Sequence, residues 1–172
     1  MRFKLILPVL FLMVLGCKTN ISTTKNATTE VNQVLDNWHQ AAAKANFTEY
    51  FDALAEDAVF IGTDATENWN KKDFQAYAKP HFDKGKAWSF TAVERHVFFD
   101  ASGNLAWFDE LLNTQMKICR GSGVLVKVDG QWKIKQYVLS MTVPNEHSNV
   151  VIQAKSATED ALLKTLQSKK GK

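Results

Sequence analysis

Two adjacent carboxylates, Asp109 and Glu110, interrupt an otherwise apolar segment with the sequence AWFDELL. Apolar residues on both sides of this pair are typical of a β-strand, in which successive side chains point to opposite faces. One carboxylate should therefore enter the interior while the other lies on the outer surface. A carboxylate in an apolar pocket can act as a general base, because burial raises its pKa towards neutral pH.

A second group of polar residues lies on the last predicted hairpin, whose loop contains Asp129 and Gly130. A type I turn with Gly130 in the left-handed conformation would place Lys127 opposite Gln131. The tighter two-residue turn would instead pair Lys127 with Trp132 and mix the two faces, so we favour the bulged register. That register brings three polar residues to an otherwise apolar inner face: Arg120, Ser122 and Gln136.

A buried guanidinium requires a neighbouring acid, because an unpaired charge in the interior is costly. The preceding strand offers Asp109 on the face of Trp107, or Glu110 on the face of Phe108. No diagnostic turn residue fixes the register between these two strands, so alternation alone does not decide. We expect Asp109 to point inward and to pair with Arg120, since this places Trp107 on the cavity wall.

Helices followed by strands must position these residues. Apolar residues at helical spacing begin near Thr29, and Asn70 can cap a later helix that ends near Gly85. From residue 87 the apolar period becomes two, which predicts strands at 88–99, 105–115, 118–128 and 132–143. Helices before an antiparallel meander predict an α+β fold in a single domain, residues 29–145. Residues 146–172 form a tail that contains a short helix.

The N-terminus has the pattern of a lipoprotein signal peptide, residues 1–16. Arg2 and Lys4 precede an apolar run that ends at Cys17 and is shorter than the roughly 20 residues that span a bilayer. Because VLGC resembles a lipobox, we expect lipidation of Cys17 and anchoring in the bacterial cell envelope, in the periplasm or at the cell surface. A plain signal peptide with an incidental cysteine is the alternative. A flexible tether, residues 17–28, would follow.

Charge and residue composition disfavour several classes of partner. Removal of Arg2 and Lys4 from the 21 basic residues leaves 19 against 18 acidic residues, so no nucleic acid partner is expected. Cys119 would have no partner for an intrachain disulfide if Cys17 is lipidated. The four histidines are scattered without metal-ligand spacing, so we expect neither a metal site nor a cofactor.

Residues 29–145 resemble the SnoaL-like, nuclear transport factor 2-like (NTF2-like) superfamily, in a branch with many secreted or lipid-anchored members. The resemblance rests on the segments FIGTDATENW, FQAYAKPHFDKGKAW, RHVFF, AWFDELL, RGSGVLVKVDGQWKIKQYVLS and VPNE. It implies a cone in which a curved antiparallel sheet, wrapped by N-terminal helices, encloses a pocket. Such pockets serve catalysis in ketosteroid isomerases and polyketide cyclases. This chain has Gln136 where many relatives carry His.

The pocket implied by this fold should combine aromatic and polar side chains. His81 lies near the cavity side of its predicted helix, and Arg95 is a candidate for a second inward cation. The candidate ligand-binding residues are Trp69, Tyr77, His81, Trp88, Arg95, Trp107, Asp109, Arg120, Ser122 and Gln136.

Three functions fit these expectations. We favour an envelope protein that binds a small anionic or polar-aromatic molecule in the cone. A lyase or isomerase could use Asp109 or Glu110 as general base, but pairing with a cation would lower the pKa of the carboxylate and disfavour that role. A dimerisation module with a vestigial pocket is the third possibility. Its homodimer interface would use three apolar residues expected on the outer face: Phe108, Leu112 and Leu125.

Overall fold

The computed structural model describes residues 21–170 of the 172-residue chain. The first half contains the helices α1 (Ile21–Ala43), α2 (Phe47–Asp52) and α3 (Lys71–Asp83), and the strands β1 (Leu54–Ile61) and β2 (Asn68–Asn70). Four strands follow: β3 (Phe90–Phe99), β4 (Leu105–Thr114), β5 (Lys117–Val128) and β6 (Gln131–Met141). A 3₁₀ turn (Asn145–His147) leads into α4 (Ser148–Lys170). This order of elements confirms the predicted α+β class.

Both ends of the described chain differ from the sequence-based expectation. The predicted signal peptide, Cys17 and the first residues of the tether lie outside the described residues. Helix α1 begins at Ile21, inside the tether predicted for residues 17–28, and α4 is longer than the short helix predicted in the tail. Within residues 21–170, no helix has the length and apolarity needed to cross a membrane.

The six strands form one curved sheet in the order β2-β1-β6-β5-β4-β3. Strands β3 to β6 form the predicted antiparallel meander. Strand β1 lies parallel to β6, and β2 is antiparallel to β1. Helices α1, α2 and α3 pack on the inner face of the sheet and enclose the core.

The inner side of α1 is apolar at helical spacing, which explains how this helix covers the sheet. Val31, Leu35, Trp38 and Ala42 are all buried. Helix α3 has the predicted N-cap, Asn70, whose side-chain oxygen accepts a hydrogen bond from the Asp73 backbone N–H at 2.9 Å. Burial of its apolar side thus positions α1 on the sheet, and the Asn70 N-cap fixes where α3 begins.

The turn between β5 and β6 differs from the predicted one. Asp129 and Gly130 have φ angles of 49° and 80°, the two positive values of a type I′ turn. Lys127 consequently pairs with Trp132, and the predicted bulge beside Gly130 is wrong. The Lys127 ammonium lies 4.9 Å from the centre of the Trp132 ring, so a cation–π contact supports this register.

A bulge lies further along β6, at Lys135. Ile134 pairs with Leu125, but the next pair joins Gln136 to Val124, so β6 contains one extra residue at this point. Trp132 and Ile134 are buried as predicted, whereas beyond the bulge the buried residues are Tyr137 and Leu139. The prediction that Gln136 points inward is therefore wrong, because the bulge reverses the alternation.

The faces of β4 and β5 are the opposite of those predicted. On β5 the buried side chains include Cys119 and Leu125, which leaves Arg120 and Ser122 on the outer face. On β4 the residues Ala106, Phe108, Glu110 and Leu112 are buried, which leaves Trp107 and Asp109 on the outer face. The expected inward pair of Asp109 and Arg120 is thus wrong.

The basis predicted for a homodimer interface is wrong as well, because Phe108, Leu112 and Leu125 lie in the core. The outer face instead exposes Phe98 and Trp107, whose rings stack with centroids 5.8 Å apart. The homodimer itself stays a prediction.

Candidate functional site

An aromatic cavity of about 170 Å³ lies between α3, the inner face of the sheet and the loop that follows β1. Six of its lining residues are aromatic: Phe60, Trp69, Phe74, Tyr77, Trp88 and Phe90. The others are Gly62, Thr63, Glu67, Gln115, Met116 and Leu139. These residues come from distant parts of the chain, so the cavity is a product of the complete fold.

The rings of the aromatic cavity are stacked on one another. Tyr77 lies on Trp69 with centroids 4.5 Å apart, and Trp69 is nearly parallel to Phe74 at 5.6 Å. Phe74 in turn stacks on Phe60 at 4.0 Å. Phe74 is buried, whereas 45% of the Tyr77 surface is exposed. The stack therefore runs from the core to a solvent-accessible edge.

Three of the candidate residues, Trp69, Tyr77 and Trp88, line the aromatic cavity. His81 lies beside it, with its ring centroid 5.4 Å from that of Tyr77 and 6.4 Å from that of Trp88. Five other candidates lie on the outer face of the sheet, so their predicted place in the cavity wall is wrong: Trp107, Asp109, Arg120, Ser122 and Gln136.

The remaining candidates belong to a buried polar cluster, which consists of Glu110, His39, Arg95 and Tyr137. One carboxylate oxygen of Glu110, Oε1, lies 2.9 Å from His39 Nε2 and accepts a hydrogen bond from the Tyr137 hydroxyl at 3.0 Å. The other, Oε2, accepts from Arg95 Nε at 2.8 Å and forms an ion-pair contact with Arg95 Nη2 at 2.8 Å. Both oxygens of Glu110 are therefore engaged by protein groups.

Arg95 extends the buried polar cluster to helix α1. Its Nη1 donates to Asp36 Oδ1 at 2.9 Å and to the Asn32 carbonyl oxygen at 3.3 Å. Since Arg95 is on β3 and Glu110 on β4, the guanidinium joins two strands to the helix that covers them. A planar guanidinium suits this role because it has five donors in a fixed geometry.

The environment of the buried polar cluster shifts two pKa values. Burial alone would raise the pKa of Glu110, but the hydrogen bond and charge of His39 and the charge of Arg95 outweigh it, so this pKa lies below its ordinary value. Burial, followed by the charge and hydrogen bond of Glu110, raises the pKa of Tyr137 well above its ordinary value. Glu110 is thus an ion, and Tyr137 is a neutral hydrogen-bond donor.

This arrangement of Glu110 fits a structural role better than a role as general base. The Glu110 side chain has no exposed surface, and a general base must reach the proton that it removes. Aromatic rings separate the cluster from the cavity: Tyr137 stacks on Phe60 at 5.7 Å, and His39 lies 6.0 Å from Phe90. The buried polar cluster fastens α1 to the sheet.

Two members of the cluster were not among the candidates. His39 lies four residues after Leu35, so helical spacing places it on the buried side of α1. That periodicity could have indicated it. Tyr137 was hidden by the bulge at Lys135, because uninterrupted alternation assigns it to the outer face.

Residues 21–170 contain no group of three His, Cys, Asp or Glu side chains that could hold a metal ion. On the outer face, His96 Nε2 lies 3.2 Å from Glu94 Oε1, and His96 Nδ1 lies 3.2 Å from Asp109 Oδ1. These contacts show where Asp109 is directed, which is away from the cavity.

Comparison with known proteins gives a family and a fold. The family model described as the SnoaL-like domain matches residues 31–144. A search of curated proteins found no match. An NTF2-like protein of unknown function from Pseudomonas putida KT2440 is 18% identical, with a TM-score of 0.60, and the match covers 71% of this chain and 91% of that chain.

Two further solved structures have names that suggest dehydratases. A candidate scytalone dehydratase from Novosphingobium aromaticivorans is 14% identical, with a TM-score of 0.59, over 71% of this chain and 88% of that chain. A candidate dehydratase of the NTF2-like family from Streptomyces avermitilis is 10% identical, with a TM-score of 0.61, over 70% of this chain and 99% of that chain. At these identities the likeness shows the fold alone. The family match over residues 31–144 shows that this chain belongs to the SnoaL-like family, and the solved structures show that it has the NTF2-like fold.

Proposed function

We propose that this protein is an envelope-anchored receptor that binds a small aromatic molecule in the aromatic cavity. The carrying observation is the stack of rings that reaches from the core to solvent, with Tyr77 45% exposed at its outer end. Another ring can extend such a stack at the mouth of the cavity, and aromatic pairs contribute about 0.5–1.5 kcal/mol beyond the burial of their surface.

Binding of a neutral single-ring probe tests this proposal. Benzyl alcohol should perturb the amide resonances of Trp69, Tyr77 and Trp88 in a nuclear magnetic resonance titration. Replacement of Trp69 with alanine should weaken binding about tenfold, because about 1.4 kcal/mol corresponds to a factor of ten in affinity.

Trp107→Ala is the matched control for this experiment. Trp107 also has a ring stacked on another aromatic side chain, Phe98, but it lies on the outer face of the sheet. This variant should bind benzyl alcohol as the wild type does. Equal loss of affinity in both variants, or resonance shifts confined to the outer face, would contradict a site in the aromatic cavity.

The anchoring part of the proposal rests on the N-terminal sequence, in which a basic and apolar segment ends in VLGC. We expect Cys17 to be acylated and the protein to fractionate with membranes. Cys17→Ser should release it into the soluble fraction. Metabolic labelling with a fatty acid provides the direct measurement, and an unlabelled wild type would refute the lipoprotein assignment.

The enzymatic alternative is a lyase or isomerase in which Glu110 is the general base. The names of the two dehydratase-like structures suggest it, but the ion pair with Arg95 and the lowered pKa of Glu110 disfavour it. We therefore propose binding, and catalysis only as the alternative.

A further inference from the structure

The charge of the aromatic cavity indicates which ligands it can accept. Among the described residues that line it, Glu67 is the only one that is charged at neutral pH. The expected cation, Arg120, lies on the outer face of the sheet, and Arg95 is engaged with Glu110. The cavity thus has a negative charge at its wall and no lining cation in the described part of the chain.

The Glu67 carboxylate is held in place by the loop that follows β1. Its Oε2 accepts a hydrogen bond from the Asp64 backbone N–H at 3.1 Å, and its backbone oxygen accepts one from Gly62 N–H at 3.0 Å. The carboxylate packs so closely on Gly62 that a Cβ there would lie 2.1 Å from Oε2. Glycine at position 62 therefore leaves room for this carboxylate.

The second oxygen of Glu67 remains available. Oε1 has no hydrogen-bond partner among the described residues, and no Lys, Arg or His nitrogen of that part of the chain forms an ion pair with this carboxylate. An unneutralised carboxylate repels an anionic ligand and attracts a cation.

The aromatic residues that line the cavity also favour a cationic ligand. The faces of Trp and Tyr rings are negative, so they attract a Lys-like or quaternary ammonium group placed over them. Trp69, Tyr77 and Trp88 line the same cavity as Glu67. A ligand with a positive group would gain from the carboxylate and from the rings, whereas an anion would be disfavoured by both.

We infer that the ligand of the aromatic cavity is a small organic cation, an ammonium compound with a single ring or a similarly small apolar body. This inference rests on the proposed binding function and specifies its ligand class. The volume of about 170 Å³ supports the size limit, since it lies below the roughly 300–1,000 Å³ of typical ligand pockets. The sequence-based expectation was an anionic or polar-aromatic ligand, but Arg120, the cation expected in the pocket, lies on the outer face of the sheet.

Three probes of similar size and different charge test the inference: benzylammonium, benzyl alcohol and benzoate. In calorimetric titrations at pH 7, benzylammonium should bind about tenfold more tightly than benzyl alcohol, and benzoate should bind most weakly. Glu67→Gln should remove this charge preference, so that benzylammonium and benzyl alcohol bind with similar affinity. Glu94→Gln, which changes an exposed acid on the outer face, should keep the preference.

The outcomes separate this inference from the proposed function. If the wild type binds all three probes equally, or prefers benzoate, the ligand class is wrong while the aromatic cavity remains a binding site. If the preference for benzylammonium persists in Glu67→Gln, the role given to Glu67 is wrong. If none of the probes binds to the wild type, both the binding function and its ligand class are refuted.

Discussion

Replacing Glu110 with alanine should lower the free energy of unfolding by about 3–5 kcal/mol. The change removes the buried carboxylate that Arg95, His39 and Tyr137 share, and it leaves Arg95 with only the exposed carboxylate of Asp36. Urea denaturation followed by circular dichroism measures the effect. Asp109→Ala is the matched control, because its carboxylate lies on the outer face beside His96 and should contribute about 0–1 kcal/mol.

A double-mutant cycle shows whether the loss comes from the pair. Arg95→Ala should also be strongly destabilising, and the double variant should lose much less than the sum of the two single losses. Strict additivity would show that Glu110 and Arg95 act independently. If Asp109→Ala lowered the free energy of unfolding strongly and Glu110→Ala lowered it only slightly, the result would contradict the observed faces of β4.

The stability conferred by the ionised Glu110 should also depend on pH. Its pKa in the folded protein lies below the ordinary value, so the unfolded chain binds the proton more readily. This contribution is fully present above the unfolded pKa and is lost as the pH falls through the folded pKa. Glu110→Gln should consequently lose less stability on acidification than the wild type, which unfolding curves between neutral and acidic pH would reveal.

Gly121→Ala should be the second strongly destabilising change, by about 1–3 kcal/mol. A Cβ at this position would lie 2.3 Å from the Tyr137 hydroxyl and 2.8 Å from Glu110 Oε1. The added methyl group must therefore push apart the hydrogen bond that joins these two side chains, and neither can move into free space because both are fully buried.

Ser122→Ala is the control for this substitution, since it changes the neighbouring residue on the outer face of β5. It should alter the free energy of unfolding by less than about 0.5 kcal/mol. Thermal melts of both variants provide the comparison. If Gly121→Ala left the free energy of unfolding unchanged, the buried polar cluster would be able to relax around a methyl group, contrary to this prediction.

Strand positions could be predicted from the sequence, but the direction of the side chains could not. Apolar residues recur at every second position along β3 to β6, because only one face of the sheet is buried. The faces depend on a single residue of register, and the bulge at Lys135 leaves no mark in the hydrophobic pattern. With uninterrupted alternation, the type I′ turn at Asp129 and Gly130 would mix the two faces of the hairpin, and the bulge at Lys135 removes that conflict.

In the candidate site, too, some residues could be predicted from the sequence and others could not. Trp69, Tyr77 and Trp88 are aromatic and lie in segments that resemble the SnoaL-like family, so the sequence alone indicates them as cavity residues, and all three line the cavity. Glu67 could not, because a loop without periodicity gives no indication of where its side chains point. His39 was accessible to helical spacing, but its partner Glu110 becomes evident only once the register of β4 is fixed.

The parallel pairing of β1 with β6 has a consequence for the order of folding. Leu54 pairs with Ile134, so α1, α2 and β1 leave the ribosome long before the strand on which β1 docks exists. Contacts between such distant segments form slowly, because closing the long intervening loop reduces the conformational entropy of the chain before the contact can stabilise the fold. The chain therefore cannot complete its sheet until β6 has been synthesised. For a protein exported through a narrow translocation channel, as we propose for this one, such delay favours transport before folding.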